Sequence, residues 1–445
     1  MRALYICLFA FFFCLSAPYY FWKMRRRGNW RAGFAQRFGR YESAVKHSVT
    51  NRHVLWIHAV SVGEVGLCAQ LIRVLEPRVP NIKIVVSTTT STGMGELHRR
   101  LPGHIEKIYY PIDFRGCVSK ALAAVHPDVV VLVEAEIWPN FLWKLRDRRT
   151  PVFLVNARLS DRSFRGYRWF GFLFRPLFRQ FRGVGAQSEA DAARLRQLGF
   201  RPEAIHVMGS LKFDAAPVDE RQLLDVQALL RQIGVPADAP VLLGGSTHDG
   251  EEAVLADVYL RLRARHPNLF LILVPRHFER GKEVGRVLSA RGISFVYRRE
   301  ITAATRLEPG AVQCLIVNTT GELKFFYQHA TAIFVGKSLV GVGGQNPIEP
   351  GALGKPMVFG PNMQNFREIA ATFVREGGAL QVEDAAGLEA ALEGLFSDPA
   401  RCEELGRKAR QVVRANTGAI GRTVDMIVAA LAEKEGIVIV DPAAD

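Results

Sequence analysis

The chain has 445 residues, 49% of them hydrophobic, which is too long for one ordinary core and suits two domains of roughly 150–200 residues, each with a core of its own. Its six cysteines (Cys7, Cys14, Cys68, Cys117, Cys314, Cys402) are scattered with no C-x-x-C pair, which argues against a zinc site or disulfide framework and for a reducing compartment. The net charge of +15 is uneven: residues 1–60 and 141–182 each carry +9 on an otherwise near-neutral body, and two such basic patches suggest attraction to an anionic surface.

Residues 3–22, ALYICLFAFFFCLSAPYYFW, carry no charge and have the length needed to cross a bilayer core of ~30 Å. A cleavable signal peptide would place its basic cluster first; here Lys23, Arg25, Arg26, Arg27 and Arg31 follow the apolar run. Residues 1–22 are therefore expected to be a retained transmembrane anchor, and the positive-inside rule puts the rest of the chain in the cytoplasm.

Short apolar runs then alternate with longer amphipathic segments. Strands are expected at 54–59, 82–87, 128–133, 151–155 and 182–186, and again at 240–244, 269–274, 312–317 and 331–335. Continuous apolar strands alternating with helices mean parallel sheets covered on both faces. The expected architecture is α/β: an N-terminal Rossmann-like domain at 23–212, a linker at 213–237 and a C-terminal Rossmann-like domain at 238–445, two doubly wound units facing a cleft. Between the two sets of strands, residues 162–183 (RSFRGYRWFGFLFRPLFRQFRG) interleave arginines with aromatic rings. That pattern suits a lipid headgroup layer or a core helix with a solvated basic edge, with nucleic acid the weakest of the three, and Pro176 should interrupt any long helix.

Polar motifs fall where strands should end, the place where such sheets bind ligands. HAVSVGEV (58–65) leaves its strand through Ser61 and Gly63 for a single carboxylate, Glu64. STTTSTG (87–93), GGSTHDGEE (244–252), VPRH (274–277), NTTGEL (318–323) and VGGQNPIEPGALGKP (342–356) follow later strands. Ser61/Glu64, Thr319/Glu322, Asp249/Glu252 and, more loosely, Asn346/Glu349 have the spacing of capping boxes, with Pro347 suited to a first helical position. Taken singly, each carboxylate is accounted for by a helix start worth about 1 kcal/mol. The glycines around Asn346-Pro347 (Gly341, Gly343, Gly344, Gly351, Gly354) need a further reason, and close approach of a phosphate supplies one. No G-x-x-x-x-G-K-[ST] or G-x-G-x-x-G is present, so a P-loop ATPase or plain NAD enzyme is not expected; nor is there a D-x-D, an H-E-x-x-H or a tight histidine cluster for a metal. His53 and His58 read as local hydrogen-bonding groups, and His248 and His277 as better candidates for a ligand site.

In order along the chain, WIHAVSVGEV, STTTSTG, VEAEIWPN, NARLS, GSLKFD, STHDGEE, VPRHFER, GELKFFY and GGQNPIEPGALGKPMVFGP together resemble the 3-deoxy-D-manno-octulosonic acid (Kdo) transferases of Gram-negative bacteria. The resemblance runs from the anchor to about residue 370. It implies the GT-B glycosyltransferase fold and transfer of Kdo from CMP-Kdo to the lipid A precursor at the cytoplasmic face of the inner membrane, with no cofactor, no metal and no nucleic acid. By the same resemblance Glu64 is the proton acceptor that activates the acceptor hydroxyl. Pro275, Arg276, Thr320, Gly321, Glu322, Asn346, Pro347, Ile348 and Glu349 form the CMP site, where Arg276 suits phosphate and Glu349 or Glu322 suits the ribose hydroxyls. The acceptor would be an anionic phosphoglycolipid, which also accounts for the anchor and the basic patches. Gln345 stands where His is common in the family, Ser210 where Asn is, Phe278 where Pro is, and NTTGEL where DTMGEL is usual, so Asn318, Thr320 and Gln345 alter the presumed donor site. Two other readings stay open: a GT-B transferase of a UDP-sugar, and a membrane-tethered, inactive nucleotide-sugar-binding module.

Overall fold

The computed structural model describes residues 2–26, 31–134, 136–214 and 224–440. Arg27 of the basic cluster, Ala135 of VEAEIWPN and residues 215–223 of the expected linker lie outside the described residues. The chain divides into two compact units, residues 1–215 with 417–445, and residues 216–416.

The first unit is built on seven parallel strands: β1 (His53–His58), β2 (Ile82–Thr88), β3 (Glu106–Tyr109), β4 (Val129–Val133), β5 (Val152–Ala157), β6 (Gly183–Ala186) and β7 (Ile205–Val207), in the order β3-β2-β1-β4-β5-β6-β7. β1 sits between β2 and β4, with Trp56 in register with Val85 and Val130. These central strands are buried along nearly their whole length because helices cover both faces of the sheet, which is why they read as unbroken apolar runs. One face packs Trp56, Val130, Leu154 and Phe141, the other Leu55, Ile57, Val131 and Val155.

The second unit repeats the plan with β8 (Val241–Thr247), β9 (Phe270–Pro275), β10 (Phe295–Tyr297), β11 (Cys314–Ile316), β12 (Ala332–Val335), β13 (Met357–Phe359) and β14 (Leu380–Gln381), in the order β10-β11-β9-β8-β12-β13-β14, again all parallel. Each expected strand is present. The five additional ones, β3, β7, β10, β13 and β14, are two to four residues long and lie at or next to a sheet edge, where alternation is too short to read.

Two expectations are corrected. The second domain expected at 238–445 stops at 416, because helix Ala419–Ala432 returns to the first sheet. Its Ile420, Val424, Ile427 and Leu431 join the core face that holds Leu55 and Ile57, and both carboxylate oxygens of Asp214 cap its start, accepting from Gly418 N and Ile420 N at 2.6 Å each. The linker expected at 213–237 already contains a helix of the second unit, Val226–Gln232, started by the Asp225 side chain on Ala228 N. As expected, no long helix runs through the basic aromatic segment: it is broken at Phe170, between helices Asp161–Trp169 and Gly171–Phe178, and the second ends two residues after Pro176.

The N-terminal helix spans Arg2–Arg26, longer than the expected anchor. Among the described residues it holds the one stretch long and apolar enough to cross a membrane, Arg2–Lys23, with a mean hydropathy of 1.8.

Candidate active site

In a doubly wound sheet the chain crosses over in opposite senses on either side of one pair of strands, and the loops there splay apart to leave room for a ligand. In the first unit that pair is β1 and β4. β1 leads through Ala59 and Val60 to Ser61, the N-cap of helix Val62–Leu75. The expected capping box forms here: Ser61 Oγ accepts from Glu64 N at 3.2 Å, and Glu64 Oε1 accepts from Ser61 N at 3.3 Å. Glu64 Oε2 also accepts from Val60 N at 2.8 Å, and the residue is only 8% exposed. The hydroxyls of STTTSTG hold this loop from behind, since Thr88 Oγ1 and Thr90 Oγ1 donate to Val60 O at 3.1 and 3.3 Å. A carboxylate offers about four lone-pair positions, so the two backbone contacts leave acceptor capacity on both oxygens of Glu64.

Glu64 is not alone. Burial raises the pKa of Glu134, at the end of β4, with the charges of Glu64 and Glu136 adding to the shift and those of Lys212 and Arg158 opposing it. Glu136 is also raised, by burial first and then by Glu64, although Trp138 Nε1 donates to it at 2.9 Å. Lys212 is lowered by burial and by Arg158, while Glu134 and Glu64 support its charge. Glu64, Glu134 and Glu136 thus stand within electrostatic reach of Arg158 and Lys212 at the strand ends, and burial moves Glu134, Glu136 and Lys212 away from their ordinary values. Asn156 ties the loops together. Its Oδ1 accepts from Leu211 N, its backbone carbonyl accepts from Gln187 Nε2, and its amide reaches Glu134 at 3.5 Å. Glu134 and Asn156 both have φ near +60°, a conformation that non-glycine residues adopt at a cost and that clusters at functional loops. Glu134, Glu136, Arg158 and Lys212 lie in stretches that carry the family resemblance but were not singled out. Each follows a strand within a polar loop, the same signal that marks Glu64.

His58, the last residue of β1, is fully buried, stacked on Tyr110 with ring centroids 3.8 Å apart, and hydrogen-bonded through Nδ1 to Ser87. Burial pushes its pKa down to about 3, so it is neutral at physiological pH and a structural hydrogen-bonding group, as expected. Below the ordinary value of 6.5 the unfolded chain binds a proton that the folded chain does not, so stability falls as the pH drops from about 6.5 toward 3. His58→Asn should flatten urea-unfolding stability across that window by up to about 1.4 kcal/mol per pH unit. Parallel pH profiles for wild type and variant would rule this out.

In the second unit the switch pair is β8 and β12, and one buried carboxylate joins their loops. Glu251 accepts from the backbone N–H groups of His248 (2.9 Å), Lys337 (2.7 Å), Ser338 (2.9 Å) and Leu339 (3.1 Å). The box expected at Asp249/Glu252 does not form. Gly250 is the N-cap, and Glu252 is taken by Thr247 Oγ1 and Arg280. His248 and His277 come together, their rings 6.1 Å apart.

The residues expected to bind CMP lie at the carboxyl ends of three strands in this unit. Pro275 closes β9, and the exposed Arg276 follows with its N–H on Thr247 O. Thr320, Gly321 and Glu322 lead from β11 into the helix Leu323–Tyr327; Gly321 has a φ of +83° and open space around it, so this turn needs glycine for its conformation rather than for room. Asn346, Pro347, Ile348 and Glu349 lead from β12 into the helix Ile348–Ala352. Neither helix has a side-chain cap, which corrects the boxes expected at Thr319/Glu322 and Asn346/Glu349. Glu322 and Pro347 are themselves the N-caps, and each carboxylate bonds the side chain of its expected partner rather than that partner's backbone N–H. Glu322 accepts from Thr319 Oγ1 at 2.6 Å and pairs with Arg298 at 3.0 Å. Glu349 accepts from Asn346 Nδ2 at 3.1 Å; burial raises its pKa, with Asn346, Arg276 and Lys324 opposing. Arg276, Asn346 and Glu349 therefore form one electrostatic group, with Lys324 as a fourth member not foreseen, while Glu322 is drawn toward Arg298. Both helices are only five residues long, so they offer individual N–H donors rather than a strong dipole.

Residues 32–215 match the protein family described as 3-Deoxy-D-manno-octulosonic-acid transferase (kdotransferase). The 3-deoxy-D-manno-octulosonic acid transferase of Bordetella pertussis is 34% identical over 418 residues, covering 91% of this chain and 94% of that protein. Its counterpart in Haemophilus influenzae is 32% identical over 402 residues, covering 90% and 91%. Among solved structures, the UDP-GlcNAc 2-epimerase of Neisseria meningitidis bound to UDP-GlcNAc superposes with a TM-score of 0.57 over 86% of this chain and 100% of that chain, at 15% identity. That likeness is one of fold alone; it agrees with the two doubly wound domains expected from the alternating strands and with the GT-B class that the family resemblance implied. At 34% identity along 91% of its length, the chain belongs to the 3-deoxy-D-manno-octulosonic acid transferase family.

Proposed function

We propose that the protein transfers Kdo from CMP-Kdo onto the lipid A precursor, lipid IVA, with inversion at the anomeric carbon, while attached to the bacterial inner membrane with its two units on the cytoplasmic side. The observation that carries the reading is Glu64: a nearly buried carboxylate at the switch point of the first sheet, inside the segment that matches the family, with lone pairs left after its backbone contacts.

A sugar hydroxyl is a weak nucleophile at neutral pH, so a positioned carboxylate must take its proton as the new C–O bond forms. The bond from the anomeric carbon to the CMP oxygen then breaks with its electron pair, leaving negative charge on phosphate. Arg276 and Lys324 supply positive charge for that phosphate, which makes a bound cation unnecessary. Glu349, oriented by Asn346, has carboxylate oxygens to accept from ribose hydroxyls. Pro275, Thr320, Gly321, Glu322, Pro347 and Ile348 shape the same strand-end loops. One base and one opposing leaving group suffice for inversion, by analogy with single-displacement chemistry on sugars.

The test is transfer of Kdo from CMP-Kdo, generated in situ, to tetraacylated lipid A precursor in the presence of a chelator. Product formation inhibited by CMP and not by UDP is expected. Inhibition by UDP alone would assign a UDP-sugar donor, and a folded protein without product or CMP binding would end the reading. Arg276→Ala should raise the Kd for CMP by about 10- to 100-fold through loss of a charge-assisted contact, with little change in thermal stability because the side chain is exposed. An unchanged Kd would remove Arg276 from the phosphate site.

A further inference from the structure

Membrane attachment belongs to the proposed function, and the packing of the N-terminal helix deepens that reading by indicating its form. A spanning helix of 22 residues is about 33 Å long and puts its two ends on opposite sides of the bilayer. Here both ends touch the same unit. Arg2 forms a two-pronged pair with Asp147 at 2.9 and 3.1 Å and lies over the Trp143 ring. Tyr5 Oη donates at 2.8 Å to the buried Asp113, whose carboxylate also accepts from the first N–H groups of helix Pro139–Asp147. Phe9 packs edge-on to Phe114 and Trp138, Phe13 to Phe114, and, near the other end, Phe21 to Phe34. Residues 2, 5, 9 and 13 form one stripe at helical spacing, and that stripe lies along the folded unit.

A second stripe packs against no other element among the described residues. Leu4, Leu8, Phe11, Phe12, Leu15, Tyr19 and Trp22 are all more than half exposed, again at intervals of three and four. It ends in a basic turn, with Lys23 over Tyr19 and Arg26 over Trp22. A second exposed apolar point sits at the break between helices Asp161–Trp169 and Gly171–Phe178: Trp169 is 84% exposed, with Phe170 and Phe172 beside it and Arg162, Arg165, Arg168 and Arg175 on the same two helices. Tyr5 and these helices, through Phe164, Tyr167 and Phe174, pack on the same core layer.

We infer that the N-terminal helix lies in the plane of one anionic leaflet, its inner stripe docked on the first unit and its outer stripe in the acyl boundary, with Trp169, Phe170 and Phe172 as a second insertion point. The outer stripe supplies apolar area, and the flanking aromatic and basic residues match the headgroup layer and its negative charge. A transmembrane crossing would break the Arg2–Asp147 and Tyr5–Asp113 contacts and leave the Asp113 carboxylate short of a donor.

The test uses the full chain in bacterial spheroplasts, with Cys7→Ser and Cys14→Ser to clear the exposed helix thiols and Ala3→Cys as the reporter. A membrane-impermeant maleimide should label position 3 only after lysis; labelling of intact spheroplasts would place the N-terminus across the membrane and overturn the inference. The combined variant Leu8→Glu, Phe12→Glu, Leu15→Glu should lower the membrane-bound fraction at least several-fold while keeping transfer to detergent-dispersed acceptor, and undiminished binding would also overturn it. Trp169→Glu with Phe172→Glu should weaken binding to phosphatidylcholine vesicles containing phosphatidylglycerol more than to phosphatidylcholine alone; equal binding by wild type and variant would remove the second insertion point. The labelling result does not depend on the reaction, so failure of the transferase reading would show in the activity assay alone.

Discussion

Glu64→Gln is expected to slow Kdo transfer by about 10²- to 10⁴-fold, the usual contribution of a general base, while leaving CMP affinity and thermal stability near wild type. The substitution separates two roles that one side chain combines. As a cap, Glu64 accepts from Ser61 N, and glutamine at the third helical position can form the same box, so the helix start should survive. As a base, it must take a proton, which a glutamine amide does not do at neutral pH. The complementary variant, Ser61→Ala, removes the other half of the box and should cost about 1 kcal/mol of stability with a far smaller loss of rate. Comparing single-turnover rates and melting temperatures of the two variants decides the matter. If both lose stability alike and neither loses rate, Glu64 is only a cap, and the search for the base moves to its neighbours Glu134 and Glu136.

The largest loss of stability is expected for Glu251→Ala. Four backbone N–H groups converge on this fully buried carboxylate, three of them from the 337–339 turn. A buried donor without a partner costs about 1–3 kcal/mol, so even after water enters, the second unit should lose at least about 3 kcal/mol. Glu251→Gln should recover only part of this, because the amide NH₂ would point a donor at donors. The damage should reach the donor site, since the same β12 loop continues to Asn346 and Glu349, and CMP affinity should fall with it. Hydrogen exchange gives the local reading: the amides of His248, Lys337, Ser338 and Leu339 should change from protected to rapidly exchanging. Unchanged protection there would mean that the loop is held by something other than Glu251.

Lys337 and Ser246 show why this carboxylate is needed. Both take positive φ, at +58° and +53°, at the ends of strands in the switch pair, and Glu251 holds the amides that follow in that geometry. In the sequence, STHDGEE carries three carboxylates, Asp249, Glu251 and Glu252, and spacing favoured Asp249 with Glu252. Both Glu251 and Glu252 are buried, and which of them meets the backbone N–H groups depends on the β12 loop, some 86 residues away, so no local rule selects Glu251 over Glu252.

Much of the chain was legible because parallel strands buried on both faces leave apolar runs too short for a typical helix, many of them rich in Val and Ile, that alternate with longer amphipathic segments. Every expected strand from β1 to β12 rests on such a run. The α/β class with two doubly wound units followed from two sets of these runs, and the family, with the GT-B fold it implies, from motifs held in order over most of the chain. Glu64 stood out because a single acid after a buried strand and before a helix sits where a doubly wound sheet binds its ligand. Long-range pairing decided the rest. Edge strands such as β7 and β14 are too short to carry a period, and helix Ala419–Ala432 looks like any amphipathic helix until the first sheet is seen to need its apolar face. Glu134, Glu136, Arg158 and Lys212 become a group only when β4, β5 and the 209–214 turn end side by side. Sequence alone thus determined where nine of the fourteen strands lie, which family the chain resembles and where one acid stands, because these depend on local pattern. Tertiary structure decided which charges meet, where each unit ends and which face of the N-terminal helix is left exposed, because those depend on contacts between residues far apart in the chain.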